Sequence, residues 1–282
     1  RDNAELLEQG RANIIRAFNE LDWGRTLRFF RPRGTDLDPG HEDIAVIVEH
    51  AGRNLDGLIY PKIENADEVR SIDETLTALE KKFGLDSNSI RIEVLIESVS
   101  AEEQVFDIAR SSRRLAGLIF GSYDYWASLG MNASLYRADH PIINDARCRI
   151  VKAAASVGIP AIAEMTTNYP TRDKSEEERR AAIEEFRRDA LLARDFGFAG
   201  KWTGIPDQTA LAVEIFQIGD AEIERAIEEA RLFLEAERGG RGATMIGGKM
   251  ADRATDRMNR TTLKTAYGLG RLDEQLAREL GL

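Results

Sequence analysis

Short apolar segments alternate with longer amphipathic segments along most of this chain, and this alternation restricts the fold more than any other feature. Alternating strands and helices predict a parallel sheet whose crossover helices cover its faces. The apolar segments are continuous runs, which is typical of strands buried on both faces. We predict strands at Thr26–Arg31, Leu55–Tyr60, Ile90–Glu97, Ala116–Phe120, Ile159–Glu164 and Phe198–Trp202.

Helices are predicted between these strands. The segment Asp67–Phe83 places its apolar residues on one face, as an amphipathic helix does. Two further helices begin with the spacing of a capping box, Ser100 with Glu103 and Ser175 with Glu178.

The pattern after Trp202 is helical only. Asp220 is predicted to cap a helix that ends near Arg238. A glycine-rich hinge is predicted over 239–248, and a further helix over about Ala251–Tyr267.

Polar residues stand where the predicted strands end, which favours a closed (β/α)₈ barrel over an open doubly wound sheet. No glycine-rich phosphate loop follows a strand, and such barrels carry their chemistry at the carboxyl ends of the strands. Because this barrel needs eight strands, two are expected to precede Arg1. We therefore predict an incomplete TIM barrel over 1–216 and a helical lid over 217–282. The strand-end residues are Arg31, Lys62, Glu97, Asp124, Glu164 and Lys201.

Composition excludes several classes of protein. The formal net charge of −10 argues against nucleic acid as a partner. A single cysteine excludes an internal disulfide and multi-cysteine metal sites, and is compatible with a reducing cytoplasm. No apolar run approaches the roughly 20 residues of a membrane span, so no membrane partner is expected.

Two carboxylates stand at neighbouring strand ends and are candidate metal ligands. Glu97 ends the apolar run VLIES, and Asp124 follows the next strand in GSYDYW. A charge at such a place is costly unless it is paired or bound to a cation. Oxygen ligands without a nearby histidine suit Mg²⁺. The alternative is that each carboxylate caps a helix or pairs with a basic residue.

Basic residues at the strand ends are candidate anion donors. Arg31 can donate to an oxyanion or a carboxylate, whereas Arg33 fits a surface salt bridge better. Lys62 and Glu64 form either a structural pair or part of a site. Lys201 ends the last predicted strand.

Asp252 allows two interpretations. It lies just beyond the glycine-rich segment and begins a predicted helix, so it is either a helix cap or an acid–base group that a mobile lid delivers.

Several of these segments resemble one family in the same order. The family is the HpcH/HpaI aldolase–citrate lyase β-subunit superfamily, and within it the CoA-thioester lyases such as malyl-CoA lyase. Its strand end with proline, lysine and an acid resembles YPKIE, and its two metal-binding elements resemble LIES and FGSYDYWASLGM. Its glycine–lysine–tryptophan turn resembles GKWTGIPDQ, and its hinge and lid resemble GATMIGGKMADRAT. The resemblance extends over nearly the whole chain.

The resemblance implies a Mg²⁺- or Mn²⁺-dependent carbon–carbon lyase that acts in the cytoplasm as a homotrimer or homohexamer. Glu97 and Asp124 match the metal ligands, and Arg31 matches the arginine that faces the thioester. Asp252 matches the acid that the lid delivers to a neighbouring subunit. Lys62 and Lys201 are assigned to the binding of the coenzyme A thioester.

Some positions depart from the family pattern. Arg33 replaces an asparagine, Ser122 and Tyr123 replace a pair that commonly contains proline, and Ile205 replaces a histidine. Gly247 stands where many CoA lyases have aspartate. These departures concern the substrate more than the class of reaction.

The expected reaction is the reversible cleavage of a 3-hydroxyacyl-CoA, with malyl-CoA going to acetyl-CoA and the 2-oxo acid glyoxylate as the leading example. The alternatives are a citrate-lyase-type activity on citryl-ACP or citryl-CoA, a citramalyl-CoA lyase, a malate synthase that adds thioester hydrolysis, and a thioester-independent pyruvate aldolase. A non-catalytic CoA-binding paralogue is the alternative outside the enzymes.

Overall fold

The computed structural model describes residues 4–282. These residues form two compact units, the first ending at Ile215 and the second spanning Phe216–Leu282. Among the described helices, none is both long and apolar enough to cross a membrane.

The first unit is built on a curled six-stranded parallel sheet whose strand order is the order of the sequence. All six predicted strands are present, although several are shorter than predicted. This architecture is α/β and matches a TIM-like barrel at the level of the sheet. The strands are β1 (Phe29–Phe30), β2 (Gly57–Tyr60), β3 (Arg91–Ile96), β4 (Leu115–Phe120), β5 (Ala161–Ala163) and β6 (Gly200–Lys201).

Close packing between neighbouring strands explains one of the glycines. A Cβ at Gly57 would lie 2.3 Å from the Phe29 ring on the adjacent strand. Leu58, Val94 and Leu118 are fully buried at the centre of the sheet, as continuous apolar strands covered on both faces must be.

Helices precede and connect the strands. The predicted capping box of Ser175 and Glu178 is confirmed at the start of α8. The predicted box of Ser100 and Glu103 is wrong, because Ser98 caps α4 by accepting from the N–H of Ala101. The helices of this unit are α1 (Ala4–Glu20), α2 (Glu42–Ala51), α3 (Ala66–Phe83), α4 (Val99–Glu103), α5 (Val105–Arg110), α6 (Ser122–Ser128), α7 (Pro141–Val157), α8 (Glu176–Phe196) and α9 (Pro206–Phe216).

The second unit contains three helices and a hairpin. Helix α10 (Asp220–Arg238) is followed by strands β7 (Ala243–Ile246) and β8 (Lys249–Asp252), then by α11 (Arg253–Gly268) and α12 (Glu274–Leu280). Ile223, Ala230, Leu263 and Leu280 belong to its apolar core.

The second unit differs from two of the expectations from the sequence. The segment is not a hinge between helices, because Gly247 and Gly248 form the turn between antiparallel strands. Both glycines have positive φ, 54° and 78°, which a two-residue hairpin turn of type I′ requires. Asp220 is the first residue of α10, whereas Gly219 occupies the cap position.

Candidate active site

The carboxyl-terminal edge of the sheet, here called the mouth, opens into a cavity of about 520 Å³. Four of the predicted site residues line it: Arg31 after β1, Lys62 after β2, Glu97 after β3 and Asp124 after β4. Residues of α1 form another wall. Parallel strands end at one edge, so residues far apart in sequence meet at this edge.

Glu97 is a buried carboxylate of this cavity, with 8% of its surface exposed. Its Oε1 accepts a hydrogen bond from the backbone N–H of Lys62 at 2.7 Å. Lys62 has a φ of 53°, an uncommon value for a residue with a side chain. Burial raises the pKa of Glu97 above its ordinary value, and the charge of Asp124 acts in the same direction against the bond from Lys62.

Gly121 allows β4 to approach Glu97 closely. A Cβ at this position would lie 2.5 Å from the Cβ of Glu97 and 2.9 Å from its Oε2. Asp124 follows in the first turn of α6 and is exposed. The FGSYD segment thus brings a second carboxylate to the first one.

The two carboxylates fit a hard divalent cation. They supply only oxygen donors, and they raise each other's electrostatic energy unless a positive charge lies between them. Among residues 4–282, no group of three or more His, Cys, Asp or Glu side chains forms a candidate metal cluster. The protein would therefore supply two ligands, which is typical of Mg²⁺ sites completed by water and substrate oxygens.

Arg31 and Arg33 have different surroundings although they are close in sequence. Arg31 is exposed, and its Cζ lies 5.7 Å from the centroid of the Trp202 ring. Arg33 donates through Nε to Asp43 Oδ2 at 2.9 Å and through Nη1 to the Leu37 carbonyl. Arg33 is thus engaged in a salt bridge, as expected from the sequence, and Arg31 faces the cavity.

Asp43, the partner of Arg33 in this salt bridge, also binds a second arginine. Arg11, on α1, also donates to its Oδ1 through Nη2 at 2.6 Å. Burial raises the pKa of Asp43, but the hydrogen bonds from Arg33 and Arg11 outweigh burial and hold the pKa below its ordinary value. The carboxylate joins α1 to the segment that carries Arg31.

We expect Arg31→Lys to lower turnover by about a hundredfold, because an ammonium cannot replace a planar fork of donors. Arg33→Lys is expected to lower turnover less than about fivefold and to lower the melting temperature, since Arg33 contacts Asp43 rather than the cavity. Steady-state kinetics and thermal unfolding of both variants test this ranking. A larger catalytic loss in Arg33→Lys would contradict it.

Lys201 differs from Lys62 in its placement. Only 8% of Lys201 is exposed, and its Nζ donates to the carbonyl of Glu164 at 2.6 Å. The same Nζ lies 5.7 Å from the Phe186 ring of α8. Burial lowers the pKa of Lys201, against the charges of Glu164 and Asp189. The structure brings Lys62 to the cavity and places the Lys201 ammonium between sheet and helix.

Two contacts near Lys201 were not predicted from the sequence. Arg147 is fully buried and donates through Nη2 to Oε1 of Glu164. Trp202, which lies directly after β6, contacts Arg31. The contact between Trp202 and Arg31 could have been predicted from the GKW segment, since an aromatic residue at a strand end can reach an arginine at another strand end.

Asp252 caps α11 in the second unit. Its Oδ1 accepts from the backbone N–H groups of Ala254 at 2.8 Å and Thr255 at 3.2 Å. The bonds from Thr255 and Ala254 lower the pKa of Asp252 below its ordinary value. The cap interpretation is confirmed, and the role of this carboxylate as a lid acid remains a prediction.

Two curated proteins similar to this chain are lyases or lyase subunits. The L-malyl-CoA/beta-methylmalyl-CoA lyase of Cereibacter sphaeroides is 32% identical over 88% of this chain and 78% of its own length. The citrate lyase subunit beta of Haemophilus influenzae is 31% identical over 70% of this chain and 63% of its own length.

Solved structures share the fold. A citrate lyase from Burkholderia xenovorans LB400 has a TM-score of 0.75 at 23% identity, over 96% of this chain and 83% of that chain. CitE of Mycobacterium tuberculosis, in complex with magnesium, acetoacetate and coenzyme A, has a TM-score of 0.60 at 21% identity, over 94% of this chain and 86% of that chain.

The family assignment follows from one more match. The sequence model of HpcH/HpaI aldolase/citrate lyase matches residues 6–203, which include β1 to β6 and every cavity residue named above. The expected resemblance is confirmed. This chain belongs to the HpcH/HpaI aldolase/citrate lyase family and is a lyase.

Proposed function

We propose that this lyase catalyses the Mg²⁺-dependent, reversible cleavage of a 3-hydroxyacyl-CoA thioester, with malyl-CoA giving acetyl-CoA and glyoxylate as the first substrate to test. The observation that carries the proposal is the meeting of Glu97, Asp124 and Arg31 at one cavity. The relative from Cereibacter sphaeroides is named L-malyl-CoA/beta-methylmalyl-CoA lyase, and the relative from Chloroflexus aurantiacus is named malyl-CoA/beta-methylmalyl-CoA/citramalyl-CoA lyase. Malyl-CoA is common to both names, which supports it as the first substrate to test.

Glu97 and Asp124 would hold the metal ion. When bound, Mg²⁺ supplies a Lewis acid that polarises a carbonyl or hydroxyl oxygen of the substrate. The protein contributes the enclosed carboxylate of Glu97, which the N–H of Lys62 orients at 2.7 Å. Gly121 leaves room for that carboxylate.

Arg31 would stabilise the oxygen of the thioester as it gains enolate character. Donors aimed at developing charge contribute strongly to catalysis in partly enclosed sites. Lys62 is exposed on the same cavity wall, where its ammonium would contact the coenzyme A thioester.

Asp252 would accept or return the proton of the acetyl methyl group. A general base must be ionised before the proton transfer, and the cap bonds that lower the pKa of Asp252 favour the ionised form while making it a weaker base. In this proposal the lid acts on a neighbouring subunit of a homo-oligomer.

The metal pair provides the test of this function. We expect Glu97→Gln and Asp124→Asn each to lower Mg²⁺-dependent turnover of malyl-CoA by about a thousandfold, since each removes a charged ligand. Calorimetric titration with Mg²⁺ should show weaker binding in both variants. Asp36→Asn is the matched control, because Asp36 is an exposed carboxylate lining the same cavity.

Either variant with full activity at the same Mg²⁺ concentration would contradict the metal assignment. Citryl-CoA and citramalyl-CoA belong in the same assay, because the similarity to a citrate lyase subunit beta makes citrate-lyase-type chemistry the second candidate. Turnover of citryl-CoA in preference to malyl-CoA would favour that candidate.

A further inference from the structure

Arg31 and Trp202 join the two ends of the curled sheet. Arg31 follows β1 and Trp202 follows β6, which are the first and last strands in the order of the sheet. The distance of 5.7 Å from the guanidinium carbon to the ring centroid lies within the range of cation–π contacts.

The turn that carries Trp202 is fixed by buried groups. The backbone N–H of Trp202 donates to the Ala163 carbonyl on β5 at 2.9 Å. Gln208 is fully buried, accepts from the N–H of Gly204 at 3.0 Å and donates to the Thr166 carbonyl at 3.0 Å. The indole is thus attached to a rigid part of the mouth.

Arg31 has no comparable attachment. Within the part of the chain that the structure describes, its guanidinium makes no hydrogen bond or ion pair. Its side-chain interactions there are the contact with the Trp202 ring and an electrostatic attraction to Glu97. A long side chain without such a contact samples many rotamers, and its donors are then rarely aimed at one place. A contact with the ring restricts the guanidinium and leaves its N–H donors available.

We infer that Trp202 is the positioning residue of Arg31, holding the guanidinium over the cavity while leaving its N–H donors to the substrate. The kinetic part of this inference rests on the proposed lyase function. The contact between the two side chains does not, and it can be measured in the protein without substrate.

A double-mutant cycle tests the kinetic part. Trp202→Leu is expected to lower kcat about tenfold with a smaller effect on KM, and Trp202→Phe, which keeps an aromatic face, to recover most of this loss. In the Arg31→Lys background, Trp202→Leu is expected to add less than about twofold, because two residues that act as one unit are not additive.

Thr203→Ala is the matched control, since Thr203 belongs to the same turn and bonds Thr209 rather than Arg31. It is expected to retain most of the activity. Two results would overturn the inference. The first is a loss of kcat in the double variant equal to the product of the losses in the two single variants. The second is an equal loss of kcat in Trp202→Phe and Trp202→Leu.

Tryptophan fluorescence tests the contact without turnover. A cation near an indole changes its emission, so Arg31→Met is expected to alter the emission of the substrate-free protein. In the Trp202→Phe background, Arg31→Met is expected to leave the emission unchanged, because, within residues 4–282, the remaining Trp23 and Trp126 do not contact Arg31. An unchanged spectrum in the first comparison would overturn the inference even if the lyase function holds. An inactive wild-type enzyme with the expected spectra would contradict the proposed function alone.

Discussion

Replacing Asp252 by asparagine is expected to lower lyase turnover by about a hundredfold to ten-thousandfold while α11 stays capped. Asparagine is as good a cap as aspartate, because its amide oxygen can accept from the N–H groups of Ala254 and Thr255. The amide cannot take a proton as the carboxylate does. Steady-state kinetics with malyl-CoA and far-UV circular dichroism measure the two effects separately.

This substitution separates the two interpretations of Asp252. If the carboxylate is only a cap, Asp252→Asn keeps its activity, and Asp252→Ala lowers the melting temperature because it removes the cap. Asp273→Asn is the matched control, because Asp273 caps α12 in the same unit by accepting from the N–H of Leu276. Activity in Asp252→Asn close to that of Asp273→Asn would remove Asp252 from the proposed mechanism.

Arg114→Met is expected to destabilise the first unit by about 3–5 kcal/mol. Arg114 is 1% exposed and donates to Glu80 at 2.6 Å and to Asp73 at 2.6 Å, joining α3 to the start of β4. Its removal leaves the Glu80 carboxylate, 2% exposed, without its main counter-charge. Urea unfolding followed by tryptophan fluorescence measures the loss, since Trp23, Trp126 and Trp202 all belong to this unit.

The loss of stability caused by Arg114→Met should depend on pH. Burial raises the pKa of Glu80, but hydrogen bonds from Arg114 and two backbone N–H groups lower it below its ordinary value. A lowered folded-state pKa contributes stability above the unfolded value of about 4.3, and this is lost as the pH falls through the folded value. The wild type and Arg114→Met should therefore differ less in strong acid than at pH 7.

An exposed arginine of the same unit supplies the control. Arg70 pairs with Asp67 on the surface, where 54% of its side chain is exposed, and Arg70→Met is expected to change stability by less than about 0.5 kcal/mol. A loss below about 1 kcal/mol in Arg114→Met would mean that the buried network contributes little to stability.

The strands were predictable because burial on both faces leaves long apolar runs in the sequence. The hairpin was not predictable, since Met245 and Met250 oppose each other and are both exposed. Apolar residues therefore do not mark the more buried face of these strands. Two adjacent glycines suit a hinge and a type I′ turn equally well. Only the pairing of β7 with β8 distinguishes these two possibilities.

The cavity was predictable in outline because the ends of parallel strands share an edge. Arg31, Lys62, Glu97 and Asp124 line one cavity for this reason. Lys201 does not, because successive side chains of a strand point to opposite faces. Lys201, the last residue of β6, therefore reaches the helix layer, while the next residue, Trp202, reaches Arg31.

The order of the strands also has a consequence for folding. Each strand from β2 to β6 pairs with the strand that precedes it in the sequence, so the sheet can grow by one crossover connection at a time. Glu97 and Asp124 come from the adjacent strands β3 and β4 and can meet early in this growth. Arg31 and Trp202 come from opposite ends of it, so their contact closes the longest loop of the site. A partly folded chain would thus hold the metal carboxylates before it can orient the arginine, because the arginine contact requires β6.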